Sequence, residues 1–231
     1  MKDNRRPVFL FADCDLLCKN ISHEHILKSS IESLNKSDLC AACIDFSNDE
    51  HDDFFELFTY AMEQFSITNI MHITQKFIGA ERQFLKNANL ILLSGGEVDT
   101  SWKIIKETKM DKIIRDGYKN GAILVGVSAG AIQLGRIGWS IREGNSYRFF
   151  ECLNLAPYLV HIHQEENQWR VLKDIISNYY PGEHGLGIPG KGGLVCYPNH
   201  SIQSLKKTAF EIQNVDGKLW ENYIFPANGE E

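Results

Sequence analysis

Gly121-Ala122-Ile123-Leu124-Val125-Gly126-Val127-Ser128-Ala129-Gly130-Ala131-Ile132-Gln133-Leu134 is the stretch whose reading decides the fold of this chain. Its apolar first half predicts a buried strand, Gly126-x-Ser128-x-Gly130 a sharp turn, and the small residues that follow the opening of a helix. A serine at the tip of such a turn leaves no room for a neighbouring Cβ, so the glycines on either side of Ser128 are a steric requirement. The helix N-terminus beneath would aim free N–H groups at the reacting centre, where an oxyanion would form. Glycine, serine and alanine also build ordinary strand-to-helix turns, and a plain turn is the alternative reading.

Outward from this stretch, strands and helices alternate. Residues 7–12, 41–46, 67–73 and 88–93 read as short apolar strands. Residues 21–34, a segment N-capped by Ser47-Asn48-Asp49, residues 77–86 and residues 102–119 read as helices, the last broken near Thr108-Lys109. Such alternation predicts an α/β chain with a mostly parallel central sheet and ligands held at the carboxyl ends of the strands. Ser128 and Gly96 both fall at such ends. Beyond His163 the pattern gives a helix over 169–178 and strands over 192–197, 209–215 and 218–224. No repeat or linker interrupts the 231 residues, so a single domain over 1–231 is expected.

Bulk composition narrows the function classes. A hydrophobic content of 43% with 11% aromatic residues suffices for a packed core. The net charge is −6 and the basic residues are dispersed apart from Arg5-Arg6 and Lys206-Lys207, which gives nucleic-acid binding no electrostatic support. No apolar run approaches a membrane span and the N-terminal apolar stretch is short for a secretory signal, so a cytoplasmic address is expected. There the six cysteines should be free thiols. Cys14, Cys18, Cys40 and Cys43 could be drawn as a four-thiolate zinc site, but Cys40 and Cys43 open an apolar run that reads as a strand, and neither metal nor cofactor is expected.

A serine hydroxyl at neutral pH needs a base. Of eight histidines, His161 and His163 in Tyr158-Leu159-Val160-His161-Ile162-His163-Gln164-Glu165 form the informative pair. Alternation along an extended strand would put both on one face. His163, at the polar end where the strand opens into a loop, is the candidate base, and His161 a substrate contact or a support. A carboxylate would then fix the imidazole tautomer. Glu143, on a turn after the elbow helix, leads; Glu165 is the second candidate, and a base with no carboxylate partner is the third reading. The natural oxyanion donors are the backbone N–H groups of Ala129 and Gly96.

These residues resemble the peptidase E family, the aspartyl dipeptidases, whose wider clan includes the cyanophycinases. The resemblance runs from about Leu90 to about His163. It rests on Ser94-Gly95-Gly96, on Gly126-Val127-Ser128-Ala129-Gly130-Ala131, and on Leu153-Asn154-Leu155-Ala156-Pro157 ahead of the histidine strand. In that family the acid follows the serine by fifteen residues, here Glu143, and the histidine follows the start of the Leu-Asn-Leu-x-Pro segment by ten, here His163. The resemblance implies a three-layer α/β/α fold like that of the class I glutamine amidotransferases (flavodoxin-like), a serine, histidine and acid arrangement, no metal, and an oxyanion donor at Gly96. Ser128, Glu143 and His163 span 36 residues, tighter than the α/β-hydrolase order. Two departures bear on substrate. Aspartyl dipeptidases carry Glu-Thr-Arg after the histidine, and here Asn167 stands in the arginine's place, with Glu165 and Glu166 beside it, while Arg170 is within reach of the site but is expected to form an ion pair on the helix surface. Glutamate also replaces the usual aspartate at Glu143. The expectation is a serine peptidase acting on short peptides with Glu165, Asn167 and His161 near the substrate. A non-catalytic module that holds a small ligand, or an esterase or amidase, are the alternatives.

Overall fold

The computed structural model of the chain describes residues 4–18, 24–46, 53–142 and 146–227. Within them β1 (Val8–Phe11), β2 (Cys40–Ile44), β3 (Asn69–Ile73), β4 (Leu90–Leu93) and β5 (Ile123–Val127) run parallel in one sheet. Between and after them come α1 (Asp15–Cys18), α2 (Glu24–Glu32), α3 (Asp53–Gln64), α4 (Gly79–Asn87), α5 (Val98–Thr108), α6 (Met110–Lys119) and α7 (Ala129–Leu134). β1, β2, β4 and β5 are buried along their whole lengths, which is why they read as apolar runs and not as alternating ones. Successive side chains still part company. Ile123, Val125 and Val127 join the core packed around Phe9, Phe58 and Met62, whereas Leu124 joins the core on the other face around Ile91, Ile114 and Leu134. The sheet therefore has an apolar layer on each side.

The second half of the chain adds β6 (Ile137–Ile141), β7 (Tyr147–Glu151), β8 (Leu159–Ile162), α8 (Arg170–Asn178), β9 (His184–Ile188), β10 (Gly193–Cys196), β11 (Ile202–Leu205), β12 (Ala209–Val215) and β13 (Lys218–Ile224). Strand order in the larger sheet is β11-β10-β1-β5-β4-β2-β3, with β10 antiparallel to β1. The histidine strand is not part of it. β8 lies at the edge of a separate sheet, β13-β12-β9-β8, and β6 pairs with β7 alone. Sequence alternation anticipates one central sheet and misses this division, together with α1, β6, β7, β9 and β11. The physical reason is visible in β12, whose alternate residues are buried: Phe210 and Ile212 pack with Leu172, Ile175 and Ile176 of α8 in a third core. A sheet with one apolar face needs one helix to cover it.

Cys40 and Cys43 lie buried in β2. The helix expected over 102–119 is two helices, broken at Lys109, which adopts a left-handed φ of 64°. The helical segment expected after Ser47 begins, within the described residues, at Asp53, and its proposed cap lies outside them.

The junction of β5 and α7 is the tightest point of the fold. A Cβ on Gly126 would come within 2.6 Å of Gly130 C and O, and one on Gly130 would clash with Leu93 O. The helix backbone thus lies directly on β4 and β5 with no side chain between. Gly130→Ala should therefore destabilise the protein by about 3 kcal/mol and lower Tm by roughly 6–12 °C in a thermal melt, whereas Gly79→Ala, where a Cβ meets nothing within 4 Å, should leave it unchanged or slightly higher.

Candidate active site

Ser128 caps the short helix α7 with φ 53° and ψ −115°, a conformation that non-glycine residues seldom hold, stabilised because the elements on both sides are buried. Its N–H donates to Phe11 O at 2.9 Å, and its carbonyl accepts the N–H of Ala131 at 3.0 Å. The side chain is half-buried. Among the described residues the N–H groups of Ala129 and Gly96, the two expected oxyanion donors, have no hydrogen-bond acceptor, so both are available to a ligand.

The loop that carries Gly96 is held against the serine. A Cβ on Gly95 would stand 3.3 Å from Ser128 Cβ and 3.7 Å from its Oγ. Gly130 N–H donates to Ser94 O at 3.0 Å and Ser94 N–H to Ile44 O at 3.0 Å. Ser94 Oγ donates to Asp45 Oδ1 at 2.6 Å, and both side chains are buried. From the elbow helix, the buried Gln133 amide donates to Val98 O at 3.2 Å and Ser101 Oγ at 2.5 Å, tying α7 to α5. Asp45 and Gln133 escape a sequence reading, and Ser94, quoted there only within Ser94-Gly95-Gly96, is not anticipated as the partner of Asp45. The one available signal is an acid at the carboxyl end of the apolar strand β2.

His163 follows β8 directly and has left the strand: its φ is 56°, and its N–H donates to Ile188 O at 3.2 Å. The expected strand alternation of His161 and His163 does not hold, because extended backbone ends at Ile162. Gln168 and Trp169 are also left-handed, and the loop closes where the Trp169 ring stacks on Phe210 with centroids 5.9 Å apart. His161 stays in the strand. Its ring sits 5.0 Å from that of Trp139, and its Nδ1 is buried without a hydrogen-bond partner. Burial first, and the neighbouring His163 second, push its pKa down to about 4, so His161 is neutral near pH 7.

Candidate nucleophile and candidate base thus lie by different sheets, and hydrogen bonds donated by main-chain N–H groups bridge them. Ala12 N–H donates to Gly192 O at 3.0 Å, Lys191 N–H to Asp13 Oδ2 at 2.7 Å, and Gly190 N–H to Glu165 Oε1 at 2.8 Å. The end of β1, which holds Ser128, is in this way fastened to the loop that starts at His163. Ser128 Oγ and the His163 ring are not hydrogen-bonded to each other in this structure. Glu143 lies outside the described residues. The strands before and after it are paired, with Arg142 N–H donating to Ser146 O at 2.8 Å. Ile141 and Tyr147, from those strands, line a cavity of about 640 Å³ together with Gln164, Asn167, Arg170 and Asp174. Asn167 is exposed there, while Glu165 is engaged by Gly190 and does not line it. Among the described residues no cluster of His, Cys, Asp and Glu is arranged to hold a metal ion, and no helix is long and apolar enough to cross a membrane.

A strained serine between two close-packed glycines, with unpaired N–H groups beside it, has the form of the nucleophile elbow found in serine-type hydrolases. Comparison with known proteins agrees. The family model of peptidase family S51 matches residues 20–204, and the chain belongs to that family of serine-type peptidases. Its fold is similar to the crystal structure of a peptidase from an acI-B1 Actinobacterium, at 15% sequence identity and a TM-score of 0.73, covering 97% of this chain and 96% of that one. It is also similar to a peptidase E protein from Listeria monocytogenes EGD-e, at 16% identity and a TM-score of 0.59, covering 87% of this chain and 98% of that one. A comparison with curated proteins by sequence finds no match.

Two outcomes are expected. Asp45→Ala strips the Ser94 hydroxyl of its buried acceptor and should cost about 2 kcal/mol in denaturant unfolding, with a fall in the rate at which Ser128 reacts with an acylating probe as the Gly96 loop loosens. For His161, the unfolded chain binds a proton below about 6.5 and the folded one only below about 4, so stability rises with pH across that window. Chemical denaturation at pH 7 and pH 4.5 should show an acid loss of which up to about 3 kcal/mol vanishes in His161→Phe.

Proposed function

We propose that this chain hydrolyses short peptides in the cytoplasm, as a single domain over 1–231 in the three-layer arrangement of the class I glutamine amidotransferases. The observation that carries the reading is the backbone of Ser128, held at φ 53° and ψ −115° beside two unpaired N–H groups. Such a conformation has a cost, and it presents the hydroxyl where a carbonyl carbon can approach it. Ser128 attacks the scissile carbonyl. His163 takes the hydroxyl proton and returns it to the leaving amine. Gly96 and Ala129 N–H groups receive the oxyanion of the tetrahedral intermediate, and a carboxylate, Glu143 or Glu165, orients the imidazole.

Substrate choice follows from the loop after the base. Asn167 replaces the arginine by which aspartyl dipeptidases grip an acidic first residue, and Glu165 and Glu166 lie beside it. Loss of that arginine removes the grip on an acidic side chain, and Glu166 in the same loop opposes one, so a basic or neutral N-terminal residue is favoured over aspartate. His161, neutral and buried, lends shape and a polar edge to the site without charge.

The missing hydrogen bond between Ser128 Oγ and His163 supports a second reading, a module that uses the elbow pocket to hold a small ligand without turning it over. A fluorophosphonate probe separates the two. An activated Ser128 is labelled, with the adduct on the peptide containing that residue, and Ser128→Ala is not. On a dipeptide library the wild type should favour basic over acidic first residues, and Ser128→Ala should lose roughly 10⁴-fold or more in kcat with an unchanged thermal melt. Turnover that survives in Ser128→Ala would refute the nucleophile, and a panel of esters and amides tells peptidase from esterase.

A further inference from the structure

His163 must offer an unprotonated Nε2 to the serine, so its single ring proton has to be held on Nδ1 by an acceptor. The space beside Nδ1 is defined by Gly190. A Cβ built there would stand 3.3 Å from Glu165 Oε1 and 3.7 Å from His163 Nδ1, which means that the carboxylate and the imidazole share the small volume that the glycine leaves open. Glu165 Oε1 is already fixed by the N–H of Gly190 at 2.8 Å. Among the described residues Oε2 accepts nothing, and the His163 ring has no hydrogen-bond partner. His163 turns the chain with its left-handed φ, and Gln168 N–H donates to Glu165 O at 3.0 Å, so the residue two positions on is folded back beside the ring.

We propose that Glu165 is the positioning residue of His163: held by Gly190 N–H, its carboxylate accepts the Nδ1 proton and stabilises the imidazolium that forms when Nε2 takes the proton of Ser128. The inference rests on the Ser128 and His163 chemistry proposed above. Of the two roles expected for Glu165 from sequence, substrate contact and second candidate for the orienting carboxylate, it selects the latter, ahead of Glu143. Nδ1–H stays on the ring throughout and the carboxylate stays ionised, so only the serine proton changes place. Catalytic hydrogen bonds commonly tighten once substrate is bound, and shared space with a free lone pair is what the unliganded protein needs to provide. The titratable groups beside His163 are Glu165 and His161, the latter neutral near pH 7.

The rate of Ser128 labelling by a fluorophosphonate, followed by intact-mass spectrometry from pH 5 to pH 9, reads the base without a known substrate. Glu165→Gln should lower the plateau rate by roughly 100-fold and move the half-point of the pH profile down by about one unit, because an imidazolium that loses a neighbouring anion deprotonates more readily. Glu165→Asp should recover part of the rate, and Glu143→Gln should lose less than Glu165→Gln. Gly190→Ala, whose methyl group enters the shared volume, should reproduce the rate loss with the thermal melt close to that of the wild type. Labelling of Glu165→Gln at the wild-type rate and pH profile overturns the inference and leaves the serine mechanism standing, as does a larger loss in Glu143→Gln. A wild type that is not labelled, or a Ser128→Ala that is, overturns the mechanism itself.

Discussion

The close approach of the α7 backbone to β4 and β5 is the constraint on which the rest of the site depends. With no Cβ at Gly126 or Gly130, main chain touches main chain, and the connection between them passes through Ser128 at a φ of 53°. The strain is held by surrounding burial: β4 and β5 are closed on both faces and every residue of α7 is buried. The feature that results is a half-buried hydroxyl at a short helix start whose first N–H has no acceptor.

Around this point the structure fixes positions through polar contacts that the core makes possible. Ser94 and Asp45 are both buried and hydrogen-bonded to each other, so lifting the Gly96 loop away would break a buried charge-assisted hydrogen bond. Gln133 repeats the device on the other side of the helix. His161 is a different case, since its buried Nδ1 has no partner and its ring is kept from charging. Its neutrality means that His161 places no cation beside His163 near pH 7.

What could be read from sequence was local. The elbow is legible because the glycines and the serine lie within five residues of one another and their spacing reflects a single steric fact. The break at Lys109 and the buried strands are legible for the same reason, each written in adjacent residues. What was not legible is contact between distant positions. Ser94 meets Asp45 across 49 residues and Glu165 meets Gly190 across 25, and nothing in the periodicity of either segment announces it. The division into separate sheets was hidden too, because a four-residue strand such as β8 looks alike whether it joins the central sheet or another. His163 shows the limit of the alternation rule: one left-handed residue at the strand end redirected a side chain that the extended pattern would have placed beside His161.

The fastening between the sheets that bear Ser128 and His163 is made of amide groups: Ser128 to Phe11, Ala12 to Gly192, Lys191 to the Asp13 carboxylate, Gly190 to Glu165, and His163 to Ile188. On the donor side it asks nothing of side-chain identity, since every residue but one brings the same N–H. Drift in composition along 188–192 would leave that half of the strap intact, and proline, the residue without that hydrogen, is the substitution that would cut it wherever it fell on a donor. Three of the five links run from main chain to main chain and two end on the Asp13 and Glu165 carboxylates, so side-chain identity enters the registration of Ser128 and His163 at those two acceptors.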